Sequence, residues 1–280
     1  MRELKLARRE ARPEGTVVRL RNGAAFGGAA LAICAGPCAV ESHEQIEATA
    51  SAVARAGANV LRGGAFKPRT SPYAFQGLRR EGLELLRAAA DRHGLAAVTE
   101  VLDPRDVEPV ASYADMLQIG SRNMQNFALL KEVGLSGKPV LLKRGFAATV
   151  DEWLMAAEYV LAEGNPNVVL CERGVRSFDA ATRNLLDLAV VPLLAELTHL
   201  PVIVDPSHGT GLARLVEPMA LAGVAAGADG VLVEVHPDPA SAVSDGPQSI
   251  TFDRFGALVA RIAEIAVAVG RRLPAAGLAV

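Results

Sequence analysis

Eight short apolar segments alternate with longer segments of helical periodicity along most of this 280-residue chain. The apolar segments are nearly continuous runs, which is typical of strands in a parallel sheet with both faces buried. They lie at 31–35, 59–62, 96–100, 116–119, 139–143, 167–171, 201–204 and 230–235. Eight strands joined by helical crossovers predict an α/β protein with a (β/α)8 barrel. An open doubly wound sheet is the alternative, and it is disfavoured because no Gly-rich dinucleotide-binding motif follows the first strand.

The helical segments carry their own start and stop signals. Six of them lie at 43–56, 82–93, 126–133, 150–163, 215–226 and 252–269. Ser42 and Thr149 stand where N-caps are expected, because their hydroxyls can accept from free backbone N–H groups of the first turn. The glycines expected to end helices are Gly57, Gly94, Gly164 and Gly227. Trp153 is expected to pack on an outer helix.

A hairpin is predicted before the first barrel strand. Two apolar segments, 16–20 and 24–26, flank Arg21, Asn22 and Gly23, and Asn-Gly between such segments favours a tight turn. We expect this hairpin to close one end of the domain. Residues 1–29 are accordingly assigned to an N-terminal extension and residues 30–280 to a single (β/α)8 catalytic barrel, with no separate regulatory domain.

Composition narrows the possible partners and compartment. The formal net charge of −2 argues against a general nucleic-acid or membrane-surface binder. The charged amino terminus lacks an apolar secretory segment, and no apolar run reaches the length of a membrane span. Three cysteines in a chain of this length do not form a disulfide framework. We therefore expect a cytoplasmic protein that binds neither nucleic acid nor membrane.

Cationic side chains recur where the predicted strands end. In a barrel these ends meet on one face, which is where active sites lie. The cations are Arg62, Lys67, Arg69, Arg122, Lys143 and Arg173. Such a cluster repels itself unless anions occupy it, so it predicts substrates that carry phosphate and carboxylate groups. The alternative for any one cation is a structural salt bridge to Glu100, Glu172 or Asp205.

A second group of side chains beyond the strand ends suits a metal ion. Its members are Cys38, His208, Glu234 and Asp245, and one thiolate, one imidazole and two carboxylates favour a divalent transition metal. His236 is a rival ligand because it follows Glu234 by two residues. Taken singly, Cys38 could instead be a core residue and His208 a hydrogen-bonded loop residue. Cys34 is expected in the core, and Cys171 is expected to pack rather than bind metal.

Several motifs in a fixed order resemble one enzyme family. They are Gly-Pro-Cys-Ala-Val-Glu at 36–41, Lys-Pro-Arg-Thr at 67–70, Gly-Ser-Arg-Asn at 120–123, Leu-Leu-Lys-Arg-Gly at 141–145, Cys-Glu-Arg-Gly at 171–174, Asp-Pro-Ser-His at 205–208, Glu-Val-His-Pro at 234–237 and Ser-Asp-Gly at 244–246. Together they resemble the 3-deoxy-D-arabino-heptulosonate 7-phosphate (DAHP) synthases of class I, Iβ-type branch. The resemblance covers about 30–270.

The resemblance implies a transferase at the first step of the shikimate pathway, which leads to chorismate and the aromatic amino acids. Phosphoenolpyruvate (PEP), erythrose 4-phosphate and water would give DAHP and inorganic phosphate. The related 3-deoxy-D-manno-octulosonate 8-phosphate synthase, which uses arabinose 5-phosphate, is the first alternative. Lys67 to Thr70 resembles the erythrose-phosphate version of this loop and favours DAHP. A non-catalytic barrel that binds sugar phosphates is the remaining alternative.

The resemblance also implies roles for individual residues. Arg62, Lys67, Arg122, Lys143 and Arg173 would hold PEP, with Ser121 beside them, and Arg69 and Thr70 would hold the phosphate of the acceptor. Cys38, His208, Glu234 and Asp245 would bind one divalent ion, Mn, Fe, Co or Zn, so Cys38 and His208 also count as catalytic. Glu100 would handle the water and Lys67 would donate a proton. A homo-oligomer, tetramer or dimer, is expected, and a separate chorismate mutase is a possible partner.

Overall fold

A computed structural model describes residues 4–68 and 71–274, and within these ranges eight parallel strands form a closed barrel. Two strands that precede the barrel form a separate small sheet: β1 (Val18–Arg19) and β2 (Ala25–Phe26). The eight barrel strands are β3 (Ala32–Gly36), β4 (Val60–Arg62), β5 (Ala96–Glu100), β6 (Met116–Ile119), β7 (Val140–Lys143), β8 (Val168–Glu172), β9 (Val202–Val204) and β10 (Gly230–Glu234). From β3 onwards each strand pairs in parallel with the next, and β10 pairs with β3. The predicted (β/α)8 barrel is confirmed, with every barrel strand within one residue of its expected range.

Helices connect the barrel strands, and most of them cover the outside of the barrel. They are α1 (His43–Ala56), α2 (Arg80–Arg92), α3 (Val107–Tyr113), α4 (Phe127–Leu135), α5 (Val150–Ala162), α6 (Val190–Leu197), α7 (Pro206–Thr210), α8 (Ala213–Ala225) and α9 (Phe252–Ala268). The six predicted helices are present, and α3, α6 and α7 are additional. Within the described ranges, no helix combines the length and hydropathy that a membrane crossing requires.

The capping residues act as the sequence predicts. The Ser42 hydroxyl accepts from the Gln45 N–H at 3.1 Å. Thr149 and Glu152 form a reciprocal capping box at the start of α5. Gly57 ends α1 with φ of 105°, a left-handed conformation that favours glycine. Trp153 is fully buried on α5 and donates its indole N–H to the Leu142 carbonyl at 3.1 Å, as expected for a packing residue.

The predicted hairpin is present and fills the amino-terminal end of the barrel. β1 and β2 pair antiparallel, with Val18 opposite Phe26. Both side chains are fully buried and pack in one cluster with the inward-facing residues of the barrel. The Asn22 side chain donates to the carbonyls of Asn59 and Gly94, just before β4 and β5. The hairpin therefore closes the end of the barrel at which the strands begin.

Two cysteines belong to the same interior cluster. Cys34 and Cys171 are buried there among aliphatic side chains. Burial raises the pKa of the Cys34 thiol to about 12 and also raises that of Cys171. Both therefore remain protonated packing residues at neutral pH, as predicted.

We expect Phe26→Leu to lower the free energy of unfolding by roughly 1–2 kcal/mol. This loss lies between that for removing one buried methylene group and that for removing a whole buried aromatic ring. The substitution leaves a void in the interior cluster that the hairpin shares with the barrel. Urea unfolding followed by circular dichroism measures the loss. An unchanged midpoint would contradict the proposed contribution of the hairpin to the core.

Candidate active site

A cavity of about 380 Å³ opens at the end of the barrel opposite the hairpin, where the parallel strands terminate. Six of its lining side chains are cationic: Arg62, Lys67, Arg122, Lys143, Arg173 and Arg183. Glu100, Ser121, His208 and Asp245 also line it. The structure thus places most of the site residues predicted from the sequence around one opening. Arg69 and Thr70 lie outside the described residues, while Pro68 and Ser71 on either side of them line the cavity.

Two of the cations form buried ion pairs. Lys143 Nζ lies 2.6 Å from Asp205 Oδ2, which agrees with the salt-bridge alternative raised for this cluster. Arg62 Nη1 lies 2.7 Å from Glu234 Oε1 and also donates to the Pro37 carbonyl at 2.8 Å. Arg62 therefore contacts both the cavity and a predicted metal ligand. Glu172, another expected salt-bridge acceptor, pairs instead with Arg144, at 3.0 Å.

Three cations have no carboxylate within ion-pairing distance among residues 4–68 and 71–274: Lys67, Arg122 and Arg173. Arg173 is the most telling, because only 2% of its surface is exposed. Its Nη1 donates to the Gly174 carbonyl at 3.1 Å, and burial lowers the pKa of the guanidinium group. A buried cation without a counterion is costly, so this arrangement favours an anionic ligand.

A candidate metal site lies beside the cations. One ligand atom each from Cys38, Glu234 and Asp245 lies within 4.8 Å of the others. His208 adjoins this group, with Nε2 3.3 Å from Glu234 Oε1 and 3.9 Å from Asp245 Oδ2. Its Nδ1 lies 2.7 Å from Asp205 Oδ2, and a carboxylate on one ring nitrogen orients the other towards a metal in many sites.

Electrostatics keeps Glu234 and His208 in protonation states suited to binding a cation, whereas the Cys38 thiol is protonated without one. Burial would raise the pKa of Glu234, but His208 and Arg62 hold it below its usual value. Burial lowers the pKa of His208, which favours the neutral imidazole that binds metals. Burial, with Glu234 nearby, raises the pKa of the Cys38 thiol to about 11. A bound cation would shift the thiol towards the thiolate, which is the metal-binding form.

His236, the rival ligand, is directed elsewhere. Its Nδ1 contacts the Asp238 carbonyl at 2.8 Å, and its Nε2 lies 3.3 Å from Glu41 Oε2. It is not part of the group formed by Cys38, Glu234 and Asp245. These two contacts favour a structural role for the His236 imidazole.

Glu100 at the end of β5 and Ser121 in the turn after β6 both line the cavity. Gln118 donates its amide to Glu100 Oε2 at 3.3 Å. A Cβ atom at Gly120 would lie 2.0 Å from Glu100 Oε1, so the Glu100 carboxylate occupies space that only glycine leaves free. This packing aims the carboxylate into the cavity.

Several functional positions were not predicted from the sequence. Gln248 donates to Glu234 Oε2 at 2.6 Å and accepts from Arg183 at 2.7 Å, and Arg183 also reaches Asp245 at 3.4 Å. Phe146 lines the cavity from the loop after β7. Arg183 and Gln248 lie in long loops, where no periodicity indicates which way a side chain points. For Phe146, its position soon after the end of β7 was the one sequence signal that could have indicated a place at the cavity.

Comparison with known proteins agrees with this geometry. A sequence model of the DAHP synthetase I family matches residues 15–269. The chain is 50% identical over 270 residues to the phospho-2-dehydro-3-deoxyheptonate aldolase of Thermotoga maritima, covering 96% of this chain and 80% of that protein. It is 35% identical over 251 residues to the 2-dehydro-3-deoxyphosphooctonate aldolase of Nitrobacter hamburgensis, covering 83% and 86% respectively.

Solved structures give the same result. The crystal structure of the Thermotoga maritima phospho-2-dehydro-3-deoxyheptonate aldolase (DAHP synthase) superposes with a TM-score of 0.94 at 50% identity, covering 97% of this chain and 79% of that one. A truncated form of the 3-deoxy-D-arabino-heptulosonate 7-phosphate synthase from the same organism gives a TM-score of 0.90 at 46% identity, covering 96% and 98%. With a family match across most of its length and a shared barrel, this chain belongs to the DAHP synthetase I family.

Proposed function

We propose that this protein is a DAHP synthase, which condenses PEP with erythrose 4-phosphate and water to give DAHP and inorganic phosphate. The observation that carries the proposal is the buried Arg173, which has no carboxylate partner among the described residues, in a cationic cavity beside Cys38, Glu234 and Asp245. An anion site adjoining a metal site suits a reaction between a phosphorylated carboxylate and an aldehyde. The 50% identity to the Thermotoga enzyme supports this activity over that of the 35% identical octulosonate relative.

In the proposed complex the cations bind and orient PEP. Arg122 and Arg173 lack carboxylate partners among the described residues, so their guanidinium groups are available to phosphate and carboxylate oxygens. Arg62, Lys67 and Lys143 complete the cationic wall, with Ser121 at its edge. The positive charge of these cations offsets the repulsion between two anionic substrates. Holding both substrates in the reactive orientation also lowers the activation barrier of the condensation.

The acceptor phosphate is assigned to Arg69 and Thr70. Their neighbours Pro68 and Ser71 line the same cavity as the proposed PEP cations. The position of these two neighbours supports the assignment, in which Arg69 and Thr70 would aim the aldehyde carbon of erythrose 4-phosphate at carbon three of PEP.

The side chains present fit one divalent transition metal ion, with Cys38, His208, Glu234 and Asp245 as its ligands. A soft sulfur, a neutral imidazole and two carboxylates held below their usual pKa are the donors that such ions prefer. When bound, the ion would supply Lewis-acid polarisation of the acceptor aldehyde. Mn, Fe, Co and Zn all suit this donor set.

The remaining chemistry is assigned to Glu100 and Lys67. A bond forms between carbon three of PEP and the aldehyde carbon, and a proton is delivered to the aldehyde oxygen. Lys67 is the proposed donor, because its Nζ lies next to the metal site, 2.9 Å from Cys38 Sγ. Glu100 is proposed to direct water to carbon two of PEP and to accept its proton. The bond from carbon two to the phosphate oxygen then breaks, carbon two becomes the carbonyl carbon of DAHP, and inorganic phosphate leaves.

We expect the protein to release phosphate from PEP only when erythrose 4-phosphate is present, and to lose this activity after EDTA treatment. With erythrose 4-phosphate, kcat/KM should exceed that with arabinose 5-phosphate at least tenfold. A colorimetric phosphate assay measures both quantities. Preference for arabinose 5-phosphate would assign the protein to the octulosonate activity instead. Binding of PEP without turnover of either acceptor would favour a non-catalytic barrel.

Four further expectations stay predictions. They are a cytoplasmic location, a tetramer or dimer, a separate chorismate mutase partner, and the division into an extension at 1–29 and a catalytic barrel at 30–280 without a regulatory domain. Light scattering of the purified protein tests the second, and affinity capture with a chorismate mutase tests the third.

A further inference from the structure

One aromatic ring stands among the cations of the cavity. Phe146 lies in the loop after β7, and three guanidinium groups surround its ring. Their central carbons lie 4.7 Å from the ring centroid for Arg173, 5.2 Å for Arg176 and 5.4 Å for Arg122. All three distances are within the range of cation–π attraction to the negative face of an aromatic ring.

The three arginines come from two loops, which follow the strands on either side of β7. Arg122 follows β6, whereas Arg173 and Arg176 follow β8, and both strands pair with β7. The Phe146 carbonyl also accepts from the Arg176 N–H at 2.6 Å. Phe146 therefore connects three neighbouring loops at the cavity through its ring and its backbone.

An aromatic ring and a carboxylate can each hold a cationic side chain in place, but they differ in how much of its positive charge remains available to an anion. Arg62 and Lys143 are held by Glu234 and Asp205, which neutralise part of the positive charge. Arg122 and Arg173 have no such partner in the described part of the chain. A ring face attracts a guanidinium group without carrying net charge, so it leaves the group's full charge and its N–H donors available to an incoming anion.

We propose that Phe146 is a positioning residue that holds the guanidinium groups of Arg122 and Arg173 ready for the anionic groups of PEP. This inference rests on the proposed function and goes beyond it, because it assigns pre-organisation of the anion site to a side chain that does not itself bind an anion. Pre-organised groups bind more tightly because less side-chain freedom is lost when the ligand arrives.

The test measures PEP binding by calorimetry for the wild type, Phe146→Leu and Phe146→Tyr. Leucine keeps an apolar side chain of similar size but has no ring face, so we expect the Kd for PEP to rise about tenfold, as for the loss of one or two cation–π contacts. Tyrosine keeps the ring and should restore a Kd within about twofold of the wild type. Inorganic phosphate, bound to the same variants, should follow the same order.

Pentafluorophenylalanine in place of Phe146 separates electrostatics from packing. It keeps the ring but reverses the charge of its face, so PEP should bind at least as weakly as in Phe146→Leu. A matched control is Phe127→Leu, which removes a ring stacked on Tyr159 at 4.5 Å, away from the cavity lining. This control should leave the Kd for PEP unchanged.

Two results would overturn the inference. One is a wild-type Kd for PEP in folded Phe146→Leu, and the other is full affinity with the fluorinated ring. If leucine at this position prevents folding, the fluorinated protein alone decides, since its shape is close to that of phenylalanine. Failure of the wild type to bind PEP at all would instead contradict the proposed function, so the two failures are distinguishable.

Discussion

Arg173→Met is expected to lower kcat/KM for PEP by roughly 100-fold or more, which corresponds to ~2.7 kcal/mol or more. Losing a charge-assisted contact from a desolvated site falls in this range. Arg173 is buried and has no carboxylate partner within 4–68 and 71–274, so its charge is not neutralised by an ion pair in that part of the protein and is available to an anion. Initial rates at varied PEP concentration give the value.

The same substitution should make the protein more stable. A buried cation without a counterion disfavours the folded state, and an apolar side chain of similar length removes that cost, which we expect to raise the free energy of unfolding by ~1 kcal/mol. A rise in the Tm of Arg173→Met together with a loss of activity would show that the charge of Arg173 serves function and not stability. Destabilisation would indicate that Arg173 mainly supports the fold.

Two variants control for charge and geometry. Arg173→Lys keeps the charge but lacks the two-pronged donor geometry of guanidinium, so it should recover only part of the lost kcat/KM. Arg261→Met removes an exposed arginine on α9 that pairs with Glu217. This variant should keep the wild-type kcat/KM, because Arg261 is not among the residues that line the cavity.

Cys38→Ser is expected to weaken metal binding and activity by more than ~100-fold. Replacing a residue that only hydrogen-bonds to a metal ligand already lowers metal affinity or activity about 10–100-fold, and loss of a ligand itself should cost more. Cys38 contributes the only sulfur to the candidate ligand group in the described ranges. With cobalt, the wild type should show the charge-transfer absorption of a thiolate ligand, and Cys38→Ser should not. Metal content after dialysis and activity during a manganese titration give the affinity.

The matched control is Cys34→Ala, which removes a thiol from the barrel interior rather than from the cavity. It should keep the cobalt absorption and the activity, with only a modest loss of stability. Unchanged metal content in Cys38→Ser would remove Cys38 from the ligand set. Loss of the absorption with full activity would mean that the sulfur binds metal but is not needed for turnover.

The fold was predictable because buried parallel strands are continuous apolar segments that can be counted. Two of the helices missed, α3 and α6, carry Pro109 and Pro192 in their first turns. Proline is tolerated there because the missing N–H has no helical acceptor. These helices are also short, so neither presents the long periodic pattern from which the six predicted helices could be recognised.

The candidate site was predictable largely where a side chain lies at a strand end or in the segment soon after it. Lys143 and Arg173 could be placed at the cavity on this basis. Arg183 and Gln248 could not, because they reach the site through loops whose course depends on tertiary contacts. That His208, and not His236, lies beside both Glu234 and Asp245 also required the structure, since the spacing after a strand does not fix the direction of a ring.

Val18 and Phe26 of the hairpin leave the barrel open at one end only. Among the described residues, the cavity opens at the end opposite the hairpin, beside the loops that carry Arg122 and Phe146. In the proposed reaction, the phosphate released there would occupy the same guanidinium groups that the next PEP molecule requires. We therefore expect phosphate to inhibit competitively with PEP.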